Sequence, residues 1–219
     1  MFAEVGRPLH SAEKFLIYER RIFRMARKID EQKRIDLFNV SVKELSRKNY
    51  HDIKIEKIIS KADVGKNMFY STYKSKEGWY CTIRTAESEK CWKDLISHYA
   101  KMKDKTFSQK MRHLAVYLVL YTRREVDFRR ITKGQMMWRD KFNEMTDSKV
   151  ENQQQFNREL NDYAMKMKLD PEEVRLNVHL LLTSAVQYGY AAAEQKINVP
   201  FSIIKESVGC FSDQLFPEE

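Results

Sequence analysis

Turn-forming residues are scarce in this chain, with six glycines and four prolines in 219 residues. Sheet proteins need such residues at frequent intervals to reverse direction, so the scarcity argues against a sandwich or barrel and for long helices with short connections. Clean period-2 alternation of apolar and polar residues is hard to find as well. Cysteine is also rare: Cys81, Cys91 and Cys210 have no close pairing spacing, which excludes a disulfide framework. No apolar run reaches the ~18 residues that a membrane span requires. Phe15-Leu16-Ile17 is too short for the core of a secretory signal and is followed by Arg20-Arg21. These absences together predict an all-α protein of a reducing cytoplasm with no membrane partner.

Charge is what the chain has in excess, and it is unevenly placed. The net charge is +9. Residues 1–80 hold 18 Lys and Arg against 11 Asp and Glu, whereas residues 81–219 hold 22 against 20. A basic first third is either a solvated surface or the part that meets a polyanion. The length suffices for one large domain or two small ones, each with a real core.

Along the chain, residues 1–10 read as an arm broken at Gly6-Arg7-Pro8. Ser11 to Lys28 has helical patterning, with Phe15, Ile22, Phe23 and Met25 set among Arg20, Arg21, Arg24, Arg27 and Lys28. That face either embraces DNA or packs back on the neighbouring helices. Asp30 caps a fresh helix or lies inside a continuing one, and Ile35, Leu37, Phe38, Val42 and Leu45 carry the helical spacing onward. Asn49 tolerates the left-handed conformation and is the expected stop. A short helix is expected over 54–61, with Lys54 or Asp52 at its start. Asp63-Val64-Gly65 then breaks the chain, and a second short helix runs from Lys66 through Tyr73. A long helix is expected to begin at Trp79 and end near Ala100. Further helices are expected at about 107–122, 125–143, 148–168, 171–196 and 201–215. The best-signalled start is Asp170-Pro171-Glu172-Glu173, where Asp caps, Pro fits the first helical position and the acids suit the positive end of the dipole.

The segment Ile35 to Trp79 resembles the DNA-binding head of the TetR family of bacterial transcription regulators. The elements that carry the resemblance are Leu37-Phe38, Asn49-Tyr50, Ile58-Ile59, Ala62-Asp63-Val64-Gly65, Phe69-Tyr70-Ser71-Thr72-Tyr73 and Lys74-Ser75-Lys76-Glu77. It covers 45 residues directly. Asn49 and Asp63 replace family glycines, Gly65 replaces the serine that normally caps the recognition helix, and Lys54 replaces a capping threonine. Both Asn and Asp accept positive φ at some cost, and Gly is an adequate cap.

The resemblance implies about nine to ten helices, a count that suits the chain's periodicity. These comprise an arm and extra helix at 1–30, a helix-turn-helix three-helix bundle at 31–80, and a larger helical regulatory body at 81–219. It implies a repressor that binds a palindromic operator in double-stranded DNA as a homodimer and is released by a small-molecule effector. The alternative is a TetR-like protein that binds partner proteins, or DNA without sequence preference. Activation instead of repression stays open.

Two short helices joined by a tight turn place the second in the major groove. Phe69 and Tyr73 would then pack inward, leaving Lys66, Asn67, Met68, Ser71 and Thr72 outward. By resemblance Lys66, Asn67 and Met68 lie at the base-reading start of that helix, and Tyr70, Thr72 and Lys76 match positions that touch phosphate. Lys54 is a further phosphate candidate. Each has a plainer reading beside it: Met68 and Tyr70 as packing, Lys76 as a solvated lysine.

The family's dimer interface corresponds here to about 171–196 and 201–215, where Val174, Val178, Leu181, Leu182, Ala185, Tyr188 and Gly189 also fit a plain core helix. The effector, expected to be apolar or aromatic, has candidate lining residues in Tyr99, Tyr117, Tyr121, Phe128, Met136, Met137, Trp138 and Phe142. Most of these also read as core. Glu87, Cys91, Asp94 and His98 on one helical face, with His113 beyond, would suit metal sensing or a solvated charged face. No cofactor is expected, and no structural or catalytic metal. Gly-rich phosphate loops, nucleophile elbows and paired His-x-x-x-His signatures are missing from the sequence, so no catalysis is expected.

Overall fold

A computed structural model describes residues 30–134 and 151–218, and among these every regular element is helical. In chain order the helices are α1 (30–45), α2 (Ile55–Lys61), α3 (Lys66–Tyr73), α4 (Lys76–Ala100), α5 (Phe107–Arg124), α6 (Val126–Thr132), α7 (Glu151–Met167), α8 (Pro171–Ala193) and α9 (Phe201–Leu215). A single 3₁₀ turn, Tyr50–Asp52, joins α1 to α2. The described part of the chain is therefore all-α. None of its helices is long and apolar enough to cross a membrane.

Two hydrophobic cores form. The first gathers Leu37, Leu45, Ile53, Ile58, Ala62, Val64, Phe69, Tyr73, Trp79, Ile83 and Ile131. The second is built from α4, α5, α7, α8 and α9 and includes Leu95, Leu118, Phe156, Val178, Leu182 and Val208. Helix α4 belongs to both. Its buried positions Trp79, Ile83, Glu87, Cys91, Leu95 and Tyr99 recur every four residues, with Ser88, Trp92 and Ile96 beside the later ones, so the buried stripe winds round the helix from one core to the other. Trp79 and Ile83 lie in the first core, and Cys91 onward in the second. The 80/81 position expected as a domain boundary thus falls inside a continuous helix of 25 residues, about 37 Å long at 1.5 Å per residue.

Caps explain several starts. Ser75 Oγ accepts from the Gly78 amide at 2.9 Å and begins α4 three residues before the Trp79 expected from the sequence. Asp170 accepts from the Glu172 amide at 2.9 Å, with Pro171 in the first turn, as the sequence signalled for α8.

The stops differ more from expectation. Asn49 is extended (φ −67°, ψ 146°) and not left-handed, because the first helix has already ended at 45 and loosened into a turn. Asp52 does not cap α2: it lies in the 3₁₀ turn, and Lys54 occupies the cap position without a side-chain bond. The expected helix over 125–143 stops at Thr132, since Lys133 (φ 50°) and Gly134 (φ 74°) both turn left-handed. The Gly134 carbonyl there accepts from Gln187 Nε2 of α8. Helix α8 closes at Ala193, where Gln195 takes φ 54° and the Lys196 amide folds back to the Ala191 carbonyl.

Helix α5 packs most extensively on α8, and Gly189 lets the two backbones approach. A Cβ on Gly189 would lie 2.8 Å from both Thr122 Cβ and the Val119 carbonyl oxygen. Backbone cannot yield as a flexible side chain does, so Gly189→Ala is expected to destabilise by about 1–3 kcal/mol through overpacking, despite alanine's better helix propensity. Urea unfolding checks this, and an unchanged midpoint would contradict the close packing described.

Candidate nucleic-acid interface

Helices α2 and α3 are held by apolar residues that face one another across a tight turn. Ile58, Ala62, Val64, Phe69 and Tyr73 are all buried, and the Phe69 and Tyr73 rings meet edge to face at 5.3 Å. Trp79, at the start of α4, closes the cluster 6.3 Å from Phe69. Asp63 makes the turn possible by adopting φ 49°, a region that few residues other than Gly, Asn and Asp enter readily.

The opposite face of α3 is open. Lys66, Asn67 and Ser71 are exposed, and Tyr70 is 45% exposed. Met68 is half-buried and packs partly against the first core, in line with the plainer of the two readings its sequence position allowed. The Met68 carbonyl accepts from Thr72 Oγ1 at 2.7 Å and from Ser71 Oγ at 3.0 Å, which fixes both hydroxyls along the helix. Lys54 is exposed at the start of α2. Lys76 is half-buried, its ammonium 4.8 Å from the centre of the Tyr50 ring and 3.5 Å from the His51 carbonyl. All seven residues singled out from the sequence therefore lie on or beside α2, α3 and the first turn of α4.

Neither α2 nor α3 has a side-chain cap, and α3 has no acidic residue in its first turn. Each is instead preceded or begun by a lysine, Lys54 or Lys66. A lysine at the positive end of a helix dipole is unfavourable in isolation and is offset by an external anion. Residues not foreseen from the sequence extend the positive surface. Lys48 beside Lys57 pushes the Lys57 ammonium below its ordinary value. Lys61 pairs with buried Glu44 and holds that carboxyl below the usual range. A single sequence offers no signal for these contacts, because the partners lie on separate segments of the chain.

The first core is tied to the body through α6 as well as α4. Ile131 packs in the first core. Arg130 donates to the Ser46 carbonyl at 3.1 Å, and Lys133 Nζ donates to Asn49 Oδ1 at 2.9 Å. On its other side α6 places Phe128 edge-on to Tyr121, 5.2 Å away.

The body residues proposed for an effector do not share one environment. Tyr99 is fully buried, donates to Glu159 Oε2 at 2.6 Å, and shares that carboxylate with Lys110. It is a member of a structural network. Tyr117 is half-buried and stacks on His98 at 4.2 Å. Tyr121 and Phe128 are buried together between α5 and α6. Trp138, Phe142, Met136 and Met137 lie outside the described residues, as does the 15–28 segment. The residues of the metal-sensing alternative do not converge among the described residues. Glu87 and Cys91 turn into the core whereas Asp94 is exposed, and no group of three or more His, Cys, Asp or Glu among the described residues could hold a metal ion. Burial also raises the Cys91 thiol well above its ordinary range, which keeps it protonated and a poor ligand.

No protein-family model matches the chain, and no curated protein matches it in sequence. Solved structures do match. A TetR-like transcriptional regulator from Rhodococcus sp. RHA1 aligns over 85% of this chain and 97% of its own, with TM-score 0.53 and 12% identity. A protein from Streptomyces coelicolor assigned to transcriptional regulation aligns over 85% of this chain and 99% of its own, with TM-score 0.51 and 16% identity. At such identities the likeness is one of fold.

The turn itself can be tested. Asp63→Val is expected to cost about 1–2 kcal/mol by forcing a β-branched residue left-handed, while Asp63→Gly stays within about 0.5 kcal/mol of the parent. Thermal melts of the two variants check the pair, and equal melting temperatures would argue against the left-handed turn.

Proposed function

Proceeding from a chain with the fold of TetR-type regulators, we propose that the protein is a transcription regulator. In this reading it binds a palindromic operator as a homodimer, represses from it, and releases it when a small apolar or aromatic effector enters the body. The observation that carries the reading is the outward face of α3, polar, basic and uncapped, on a helix locked from behind by Phe69 and Tyr73. Inserted in the major groove, such a face offers Asn67 to an adenine edge and Met68 to a thymine methyl. Lys66 stands beside them at the base-reading start of the helix, and Lys54, Tyr70, Thr72 and Lys76 then serve as phosphate contacts that fix register.

The homodimer is supported by a stripe on α8. Leu176 is 56% exposed and Leu180, one turn on, 43% exposed; Tyr188 further along the helix is 43% exposed, and Ile203 of α9 is exposed as well. Apolar residues recurring along the outside of a helix whose inner face is already packed support docking of a second copy. Two heads so joined read half-sites about one helical turn apart.

Release is a population shift between head spacings. The contacts of α6 support a route for it: Tyr121 bears on Phe128, and two residues further along the same short helix Arg130 holds the end of α1. A coupling of about 1–3 kcal/mol would change operator affinity roughly 5–150-fold.

Footprinting on DNA upstream of the gene, at physiological salt with unrelated competitor, is expected to give a resistant palindromic footprint. Asn67→Ala is expected to lose about 1–3 kcal/mol at one base pair of each half-site and relax the preference there. Lys54→Ala is expected to weaken all sequences alike and lower the salt slope by about 1. Protection that the competitor removes would sink the operator reading. For the dimer, Leu180→Glu is expected to sediment as a monomer and to lose the palindrome, and a variant that remains dimeric would take α8 out of the interface.

A further inference from the structure

We propose that the cleft between the end of α1 and the ends of α6 and α8 binds a small phosphate monoester, held by Arg47 and Lys48 on one wall and by Arg130 and Lys133 on the other. The cleft measures about 270 Å³ and shares no residue with the outward face of α3 or with the aromatic residues considered for an effector. Four of its side chains are cationic, and its one acid, Glu194, is already taken by Arg129 Nε at 3.1 Å. None of the four cations is ion-paired among the described residues.

Two of the four are positioned by neutral acceptors. Arg130 donates to the Ser46 carbonyl at 3.1 Å, and Lys133 Nζ donates to Asn49 Oδ1 at 2.9 Å. Such bonds fix the side chains and leave their charge uncompensated. With its Oδ1 so occupied, Asn49 keeps its NH2 as a further donor. Holding the end of α1 against α6 accounts for Arg130 and Lys133, but not for the opposite wall. Arg47 and Lys48 are exposed, and neither side chain donates to a carbonyl among the described residues.

Little offsets this charge. The ends of α1, α6 and α8 each bring about half a negative charge, together less than half of what four cations carry. On the head side Lys48 also stands against Lys57 and lowers that ammonium. At the body-side rim Lys196 Nζ adds another cation, 4.5 Å from the centre of the Tyr190 ring. A cleft lined by one sign of charge focuses the field and concentrates counter-ions. A phosphate monoester carries about two negative charges and three acceptor oxygens, enough to meet both walls at once. A single carboxylate meets only one. An anion held by both walls would tighten the hold of α6 on the end of α1.

The test uses the full chain without DNA, so that failure here and failure of operator binding are separate results. Calorimetry at constant ionic strength compares ribose 5-phosphate with ribose. The parent is expected to bind the phosphate at least tenfold more tightly than the bare sugar, one per chain. Arg47→Gln combined with Lys48→Gln is expected to lose at least tenfold of that affinity and to melt at the parent temperature or above, since both side chains are exposed and alike in charge. Lys103→Gln combined with Lys105→Gln removes the same charge from the α4–α5 loop and is expected to bind as the parent does. Equal affinities for the two sugars, or equal behaviour of the two double variants, would overturn the proposal. So would absence of phosphate binding at millimolar concentration; a fall in duplex affinity in the Arg47 and Lys48 variant would then assign these side chains to the DNA backbone.

Discussion

Two helices, α4 and α6, tie the two cores of this molecule together, and α4 is the longer. One run of hydrogen-bonded backbone has its first two turns built into the head, through Trp79 and Ile83, and its later turns built into the body, from Cys91 to Tyr99. A helix buried at both ends cannot slide freely in one core without disturbing the other. A second strut, α6, is much shorter. It ends on the head through Ile131 and Arg130 and touches the body's aromatic cluster through Phe128. Two attachments at different points would let a small displacement in the body turn the head, as the proposed release requires.

The surface presented by that head is organised by what it leaves unsatisfied. Helices are normally completed at their starts by Ser, Thr, Asp or Asn and by early acids. The chain has such caps at Ser75, Thr106 and Asp170 and lacks them at α2, α3, α6 and α9, and at α2 and α3 a lysine stands at the start. At α2 and α3 the uncapped amides and the lysine beside them leave a positive helix start that a phosphate backbone would complement.

Much of this was legible in the sequence because it is local. The Ile58-Ile59, Ala62 to Gly65 and Phe69 to Tyr73 pattern sits within two short helices and their turn, and the Asp170-Pro171 start of α8 announces itself in two residues. Helix ends were less legible, for a compositional reason. In a chain with six glycines the left-handed positions fall mainly to other residues, and Asp63, Lys74, Lys133, Lys168 and Gln195 all take positive φ. Lysine at a stop looks like lysine on a surface, so the end of α6 at Lys133 was hidden while Asn49, which does resemble a stop, is extended. Long-range polar partners were hidden as well. Nothing near Tyr99 in sequence signals Glu159 and Lys110, and their network removes Tyr99 from the set of ligand candidates.

The central claim is that the exposed face of α3 reads base sequence, and selection from a random pool of duplex DNA by the purified protein tests it most directly. After several rounds at physiological salt, the account predicts one enriched palindrome whose half-sites are centred about one helical turn apart. A pool that is retained at low salt and lost as salt rises, with no sequence enriched, would contradict it, since that is the behaviour of charge alone.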